Sequence, residues 1–216
     1  MDLHQERLAF LSRKGFSPQI VYDIGAFRGT WTNQIKMLFP KGQFYLFEAN
    51  QEHEPYLRSP YHNHFITLLG DEDKETTFYS INNTGDSLFR EQTHYYQGMH
   101  VKEKTLQMNT LSSFVKKNAL PLPNLVKIDV QGAEKIVIQG GMDVISHAEV
   151  VILETKILEY NAGAPSILEL MMLMHSLEYR LLDIIEFHYL SSGELNEVDL
   201  LFVKNNSQLI KTGLLE

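Results

Sequence analysis

An apolar strand, a glycine-rich turn and a helix follow one another near the start of the chain, and this order constrains the fold more than any other feature. Residues 20–24 are nearly all apolar, as parallel strands covered on both faces are. The turn Gly25-Ala26-Phe27-Arg28-Gly29 follows, and residues 30–39 then have helical spacing. Apolar runs at 44–47 and 65–69 continue the alternation. Together they predict the βαβαβ start of a doubly wound α/β fold.

The remaining pattern extends this sheet and closes it. Residues 76–81 and 101–108 alternate as half-exposed strands do, and the parallel pattern then resumes, with further strands predicted at residues 125–130, 150–154, 180–187 and 199–203. The last two are joined by a turn at residues 191–193, which predicts an antiparallel C-terminal hairpin. We therefore expect a mostly parallel seven-stranded sheet with helices on both faces. Residues 82–100 have little periodicity and are predicted to be an insertion or lid loop.

Length and composition limit the classes of protein that fit. A chain of 216 residues suits one α/β domain, so we expect residues 1–216 to form a single domain that starts with a helix within residues 1–15. The net charge of −8, with scattered Lys and Arg, disfavours nucleic acid as a partner. The absence of cysteine excludes disulfides and thiolate metal ligands. No apolar run approaches a membrane span and no signal peptide is evident, so a cytoplasmic protein is expected, with homo-oligomerisation left open.

The glycine turn differs from a dinucleotide fingerprint in a way that suggests another ligand. G-x-G-x-x-G would need a second glycine where this chain has Phe27, and a pyrophosphate would meet that side chain. Asp23, at the end of the first strand, would repel phosphate but attract the ammonium group of a methionine moiety. These two features favour S-adenosylmethionine (SAM) over NAD. The alternative is an ordinary strand-to-helix turn with Asp23 as a surface residue or helix cap.

The end of the second strand supplies an independent indication. Glu48 follows Phe47 at about the twenty-residue distance from the turn at which an acid that binds ribose hydroxyls belongs. A carboxylate can accept hydrogen bonds from two adjacent hydroxyls. The alternative is a solvated glutamate at a strand end.

A longer string, Leu125-Val126-Lys127-Ile128-Asp129-Val130-Gln131-Gly132-Ala133-Glu134, resembles the signature of the FkbM-type methyltransferases. The resemblance continues, in order and spacing, at residues 23–29, 47–50, 69–71, 85–88, 109–114 and 152–154. It implies a Rossmann-like class I methyltransferase fold and a SAM-dependent enzyme that methylates hydroxyl oxygens of sugars, polyketides or related natural products, with S-adenosylhomocysteine (SAH) as product. The chain departs from the family's usual residues at Phe27, Ala49 and Gln131, where Asn, Pro and Glu are common.

These observations give a set of predicted site residues. The cofactor is expected to contact Asp23, Gly25, Ala26, Phe27, Gly29, Thr30, Glu48, Ala49, Asp71 and Asp129. Arg90, Tyr95 and Tyr160 are predicted to contact the acceptor. His53, Glu54, His62 and His64 are predicted to be solvated side chains.

Three strand-end residues are candidates for the base that removes the proton from an acceptor hydroxyl. In order of preference they are Asp129, Glu154 and His188. Each has a structural alternative: Asp129 as a helix cap, Glu154 as a partner of Lys156 or Lys127, and His188 as packing in an aromatic cluster. The same three residues would suit a divalent metal, but we prefer a metal-free site.

Two other functions stay open on the sequence. One is an NAD-dependent oxidoreductase or epimerase, which Phe27 and Asp23 disfavour. The other is a SAM-binding module without catalysis.

Overall fold

The computed structural model of the chain describes residues 2–81, 85–89, 101–158 and 164–210. The helices in these ranges are α1 (Leu3–Arg13), α2 (Thr30–Ile35), α3 (Glu54–Leu57), α4 (Leu111–Lys117), α5 (Glu134–Gln139), α6 (Met142–Ile145) and α7 (Ile167–Ser176). The strands are β1 (Ile20–Ile24), β2 (Gln43–Glu48), β3 (Asn63–Ile66), β4 (Leu68–Gly70), β5 (Lys74–Ser80), β6 (Lys102–Thr110), β7 (Leu125–Ile128), β8 (Val150–Lys156), β9 (Tyr179–Tyr189) and β10 (Leu195–Lys204). A short 3-10 turn, Gln51–His53, precedes α3.

The main sheet has seven strands in the order β3-β2-β1-β7-β8-β10-β9. Its first five strands are mutually parallel, whereas β10 is antiparallel to both β8 and β9. This confirms the predicted mostly parallel sheet with an antiparallel C-terminal hairpin. Ile24, the last residue of β1, lies opposite Phe47 on β2 and Ile128 on β7. The polar residues that follow these strands therefore meet at one edge of the sheet.

Two apolar layers cover the faces of the sheet. Successive side chains of a strand point to opposite faces, so Val21 packs with Leu8 and Leu11 of α1 in one layer. Its neighbour Tyr22 packs in the other layer, with residues of α4, α5, α6 and α7 such as Leu170. The helices thus lie on both faces, as predicted, and the carboxyl edge is left to polar side chains.

Helix α1 is stabilised by a side-chain cap at its first turn and by an apolar stripe that packs on the sheet. The Asp2 carboxylate accepts a hydrogen bond from the backbone N–H of Gln5 at 2.8 Å, which satisfies one free donor of the first turn. His4, Leu8 and Leu11 recur at helical spacing and are the buried residues of the helix. The stripe carries His4 to the edge of the sheet at β9. None of the helices in the described ranges combines the length and apolarity needed to cross a membrane.

The prediction of one strand over residues 65–69 is wrong. The chain leaves the main sheet at Thr67, whose N–H donates to the Glu48 carbonyl at 2.8 Å. Strand β4 then pairs with β6 in a second sheet of order β4-β6-β5. Leu68, Phe78 and Met108 form a small core of their own there. An apolar run looks the same whether its strand continues in one sheet or moves to another, so the sequence pattern could not show the break.

Smaller differences lie at the ends of elements. Helix α2 ends at Ile35 and β7 at Ile128, earlier than the predicted ends at 39 and 130. Most of the predicted insertion, residues 82–100, lies outside the described residues. Within it, Ser87 exchanges two backbone hydrogen bonds with Tyr79 of β5.

Candidate functional site

A cavity of about 590 Å³ opens at the carboxyl edge of the main sheet. Its size is within the range of about 300–1,000 Å³ that is usual for small-molecule sites. One part, which we call the turn end, is lined by Gly25, Ala26, Phe27, Glu48 and Ala49. The other part, the acid end, is lined by Asp129, Glu154, Glu186, Glu197 and Asp199. The two ends are continuous.

The glycine turn is held against the ends of two neighbouring strands. The N–H groups of Gly25 and Ala26 donate to the Phe47 carbonyl of β2 at 2.9 and 3.0 Å. Gly25 has φ +81°, and a Cβ there would lie 1.8 Å from the Asp129 carbonyl oxygen at the end of β7. Glycine is therefore required by both the backbone angle and the close approach.

Phe27 makes this turn different from a run of glycines. It adopts φ +50°, which is rare for a residue with a side chain. Its ring meets the His53 ring edge-on with centroids 4.5 Å apart. The Arg28 guanidinium lies over both the Phe27 ring, at 4.9 Å, and the Tyr56 ring, at 4.4 Å. These contacts link the turn to the segment that follows β2, and Phe27 and His53 both line the cavity.

Glu48 is tied to the backbone on both sides. Its Oε2 accepts from the Phe27 N–H at 2.7 Å and its Oε1 from the Asn50 N–H at 2.8 Å. The residue is only 7% exposed, so it is not the solvated glutamate of the alternative interpretation. Burial raises the pKa of Glu48 to about 7, although both N–H donors favour the ionised form.

Asp23 is fully buried beside the turn, which excludes its alternative role as a surface residue. Its Oδ2 accepts from the Thr32 hydroxyl at 2.6 Å, whereas Oδ1 has no hydrogen-bond partner in the described part of the chain. Burial raises the pKa of Asp23, against the attraction of the Lys127 ammonium. A buried carboxylate oxygen without a donor is costly, which suits a site that a ligand donor completes.

A chain of polar contacts crosses the acid end. Lys127 Nζ lies 2.6 Å from Asp129 Oδ2, and the Gln131 amide donates to Asp129 Oδ1 at 3.1 Å and to Glu154 Oε2 at 2.7 Å. Lys156 Nζ donates to Gln131 Oε1 at 2.9 Å and lies 3.2 Å from Glu154 Oε2. Both Asp129 oxygens are thus engaged, whereas Glu154 Oε1 lacks a hydrogen-bond donor within the described residues.

Asp129 and Glu154, the two acids joined by these polar contacts, favour different ionisation states. Burial opposes the charge of Asp129, but the attraction of Lys127 outweighs it and lowers the pKa of Asp129 to about 2. Glu154 is buried and near Asp129, and both effects raise its pKa well above the usual range despite Lys156. A pair of carboxyl groups with separated pKa values is typical of an acid–base site.

Glu134 closes the loop that carries Asp129 and Gln131. Its Oε1 accepts from the N–H groups of Val130 and Gly132, both at 3.1 Å. The residue is buried, and burial raises its pKa to about 7. Helix α5 begins after Ala133 without a side-chain cap. The alternative role of Asp129 as a helix cap is therefore not what the structure contains.

The far wall of the acid end comes from α1, β9 and β10. His4 Nε2 lies 2.9 Å from Asp199 Oδ2 and 3.1 Å from Glu186 Oε2. The Trp31 indole N–H donates to His4 Nδ1 at 3.1 Å. His188, half-exposed, has its Nε2 3.6 Å from Glu186 Oε1.

Most of the predicted site residues line this one cavity. They are Asp23, Gly25, Ala26, Phe27, Thr30, Glu48, Ala49, Asp129, Glu154 and His188. Gly29 and Asp71 lie outside its lining, and Asp71 is exposed on the turn after β4. Arg90, Tyr95 and Tyr160 fall outside the described residues.

The structure also adds residues that sequence reasoning missed. His53 was expected to be solvated, but it is 1% exposed and lines the cavity, so that prediction is wrong. Lys127 carried a usable signal, because a charged residue inside an otherwise apolar strand needs a buried partner. His4, Glu186 and Asp199 carried none, because they meet only through tertiary contacts.

Comparisons with known proteins agree with this architecture. The family model of the methyltransferase FkbM domain matches residues 23–181. The fold is similar to an O-methyltransferase from Bacillus cereus in complex with SAH, at 10% identity and a TM-score of 0.55, over 94% of this chain and 82% of that chain. It is also similar to the methyltransferase FkbM of Methylobacillus flagellatus KT, at 12% identity and 0.54, over 86% of this chain but 43% of that one.

A third similar structure is a precorrin-6y C5,15-methyltransferase from Geobacter metallireducens GS-15, with 13% identity, a TM-score of 0.50, and coverage of 91% of this chain and 86% of that chain. Comparison with curated proteins gave no match. At these identities the structural similarity shows the fold alone, and that fold is the predicted Rossmann-like class I methyltransferase fold.

Proposed function

The chain belongs to the FkbM methyltransferase family, and we propose that it transfers a methyl group from SAM to a hydroxyl oxygen of a small sugar or natural-product acceptor. One observation carries this proposal. A single cavity runs from the glycine turn and Glu48 to the carboxyl groups of Asp129 and Glu154. A cofactor at the turn end and a hydroxyl at the acid end would face each other inside it, which is the arrangement that an in-line transfer requires.

The residues of the turn end fit SAM. The unpartnered oxygen of Asp23 would accept a hydrogen bond from the ammonium group of the methionine moiety. Glu48, held by two backbone N–H groups, would accept from the ribose hydroxyls. Leu68, Leu69 and Phe78 supply apolar lining for the adenine ring. Phe27 fills the place of the second glycine, where a pyrophosphate would need room, and this supports SAM over NAD.

Bound SAM supplies an electrophilic methyl carbon on a sulfonium sulfur. The acceptor oxygen must lose its proton to a nearby base as it bonds to that carbon. Asp129, Glu154 and His188 are the candidate bases, and the contacts favour Glu154. Its contacts in the described residues are made through Oε2, and the raised pKa makes its ionised form a stronger base than an ordinary glutamate. Asp129 is held ionised by Lys127 and Gln131, so its role would be to fix the charge beside the base.

Calorimetric titration with SAM, SAH and NAD tests the cofactor. We expect SAM and SAH to bind and NAD not to bind. Binding of NAD without binding of SAM or SAH would overturn the proposal and favour the oxidoreductase or epimerase alternative.

Labelled SAM with a panel of hydroxylated acceptors tests turnover. Label recovered in an O-methyl product supports the proposal and excludes a SAM-binding module without catalysis. Label on nitrogen or carbon would keep the class of enzyme and reject oxygen as its acceptor atom.

We further propose that residues 1–216 act as one domain, because α1 and the β9–β10 hairpin contribute to the same cavity as the central strands. The cytoplasmic location, a small-molecule acceptor in place of nucleic acid, and homo-oligomerisation stay predictions.

A further inference from the structure

The second sheet holds the segment that follows Glu48 through a small apolar core. Leu68 and Phe78 are buried in this core, and Ala49 and Leu88 pack against it. Ala49 directly follows Glu48, so the chain passes from the main sheet to the second one at the residue proposed to bind the ribose. The position of Glu48 therefore depends on the second sheet as well as on β2.

Asp86, at the start of the predicted insertion, adds a polar contact to this core. Its Oδ2 accepts from the Asn50 side-chain amide at 2.6 Å and from the Ser80 hydroxyl at 3.1 Å. Its Oδ1 accepts from the Ile81 N–H at 2.7 Å. The Asp86 side chain is almost fully buried, and hydrogen bonds to a carboxylate are stronger than those between neutral groups. Asp86 thus holds the Asn50 side chain against the end of β5.

Asn50 passes this constraint to Glu48. Its backbone N–H donates to Glu48 Oε1 at 2.8 Å. Its side chain is fixed at both of its polar atoms, because Nδ2 donates to Asp86 while Oδ1 accepts from the Glu52 N–H at 3.1 Å and from Lys104 Nζ at 3.0 Å. Asn50 is 1% exposed, so water does not replace these contacts. The orientation of the Glu48 carboxylate is therefore set in part by the residues that hold Asn50.

The segment that carries Asp86 is anchored independently of Asn50. Ser87, the next residue, is buried and exchanges two backbone hydrogen bonds with Tyr79 of β5. Its hydroxyl donates to the Gln131 carbonyl in the loop after β7 at 2.7 Å. Asp86 is thus held in place on the far side of Asn50, so it can fix the position of that residue.

We propose that Asp86 is a positioning residue of the cofactor site, which acts through Asn50 to hold the Glu48 carboxylate in the orientation that accepts the ribose hydroxyls of SAM. This rests on the proposed function, because it concerns the ribose contact of the same cofactor. Asp86 lines the cavity, but both of its oxygens accept hydrogen bonds from protein donors. Its part is therefore to orient Glu48, and the ribose contact itself belongs to Glu48.

Calorimetry with SAH and 2′-deoxy-SAH measures the ribose contact separately from the rest of the cofactor. Burial, together with the nearby charge of Asp86, raises the pKa of Glu48 to about 7, so the titrations are made at pH 8, where Glu48 is mostly ionised. We expect the wild-type protein to bind SAH about tenfold tighter than 2′-deoxy-SAH, which is the effect of one charge-assisted hydrogen bond.

Asp86→Asn tests the positioning role. An amide at position 86 cannot accept from both the Asn50 side chain and the Ile81 N–H, so the hold on Asn50 is lost. We expect the preference for SAH over 2′-deoxy-SAH to fall to within about threefold. A substitution that only destabilised the protein would weaken the binding of both ligands and keep their ratio.

Asp73→Asn is the matched control. Asp73 also lies beside the second sheet, and its Oδ1 likewise accepts from a backbone N–H, that of Thr110 at 2.6 Å, and from a hydroxyl, that of Ser113 at 2.8 Å. Asp73 is outside the cavity lining. This variant makes the same chemical change without touching Asn50, and it should keep the wild-type ratio.

The double variant Asn50→Asp, Asp86→Asn exchanges the donor and the acceptor of the contact. The amide at position 86 can then donate to the carboxylate at position 50, which still accepts from the Glu52 N–H and Lys104. We expect the preference for SAH to recover to at least about fivefold. If Asp86→Asn does not fold, this exchange decides: recovery of the preference supports the inference, and its loss rejects it.

The outcomes separate this inference from the proposed function. Persistence of the full preference in Asp86→Asn, or an equal drop in Asp73→Asn, would overturn the inference. Equal binding of the two ligands by the wild-type protein would also overturn it, because Glu48 would then have no ribose contact to orient. Failure of the wild-type protein to bind SAH would instead end the proposed function.

Discussion

The two ends of the cavity are built from different materials. The turn end is formed largely by main chain: the N–H groups of Gly25, Ala26, Phe27 and Asn50 are fixed by a carbonyl or a carboxylate of β2. The acid end is formed by charged side chains that meet from β7, β8, α1 and the β9–β10 hairpin. Backbone contacts depend on strand register, whereas the side-chain contacts depend on which charges the chain happens to place there. One end suits a constant ligand and the other a variable one.

Lys127→Met is expected to have the largest effect, because it removes the cation that Asp129 contacts and that attracts Asp23. Lys127 is buried and Asp129 is partly buried, so loss of the lysine should lower the free energy of unfolding by up to about 3–5 kcal/mol. Urea denaturation measures this. The control is Lys135→Met, whose partly exposed pair with Glu169 should be worth less than about 1 kcal/mol. Similar losses in both variants would mean that the Lys127–Asp129 pair stabilises the fold no more than an exposed ion pair does.

Gly25→Ala should break the turn end selectively. The new Cβ would overlap the Asp129 carbonyl oxygen, and the backbone angle alone costs about 1–2 kcal/mol. We expect SAM affinity, measured by calorimetry, to fall by about tenfold or more. Gly193→Ala is a matched control, since Gly193 has φ +102° but nothing within 4 Å of an added Cβ. If both variants bind SAM equally well, the close approach at Gly25 is unimportant.

The pH dependence of SAM binding should report on Glu48. Burial places its pKa near 7, so below that pH the carboxyl group is protonated and accepts ribose hydroxyls less well. Because binding favours the ionised form, affinity should rise with pH, by up to about tenfold between pH 6 and pH 8. Glu48→Gln should bind SAM more weakly and flatten this dependence. A steep dependence in the Gln variant would assign the titration to another group.

Gln131→Leu should have the smallest effect on cofactor affinity. It tests whether a change at the acid end alters binding at the turn end. It removes the amide that bridges Asp129 and Glu154 but leaves the turn end intact. We expect the dissociation constant of SAM to change by less than about twofold. The change should be similar in the control variant Gln139→Leu, where the substituted residue is exposed. A tenfold loss would show that the two ends act as one unit.

The same division explains how much could be predicted from sequence. Strands β1 and β2, the glycine turn, Asp23 and Glu48 follow from local patterns, because period, turn residues and strand ends are written within a few positions. The burial of His53 could not be predicted, because it depends on contact with the Phe27 ring across the turn. The departure of the chain from the main sheet at Thr67 could not be predicted either, because tertiary packing decides which strands pair.

The acid end was predicted in part. Asp129, Glu154 and His188 were expected from strand ends, and they do line the cavity. The polar contacts that link Lys127, Asp129, Gln131 and Glu154 could not be predicted. They depend on the directions of the side chains and on the unusual φ of +56° at Gln131. His4 joins this end only because α1 packs against β9.

Trp31 has a practical consequence. It is the only tryptophan of the chain, it lines the cavity, and its indole touches His4 while Lys127 Nζ lies 5.8 Å from its ring. Indole emission responds to nearby charges and to loss of a hydrogen bond. The protein thus carries its own optical probe at the junction of the two ends, and unlabelled protein would report in real time when either end is filled.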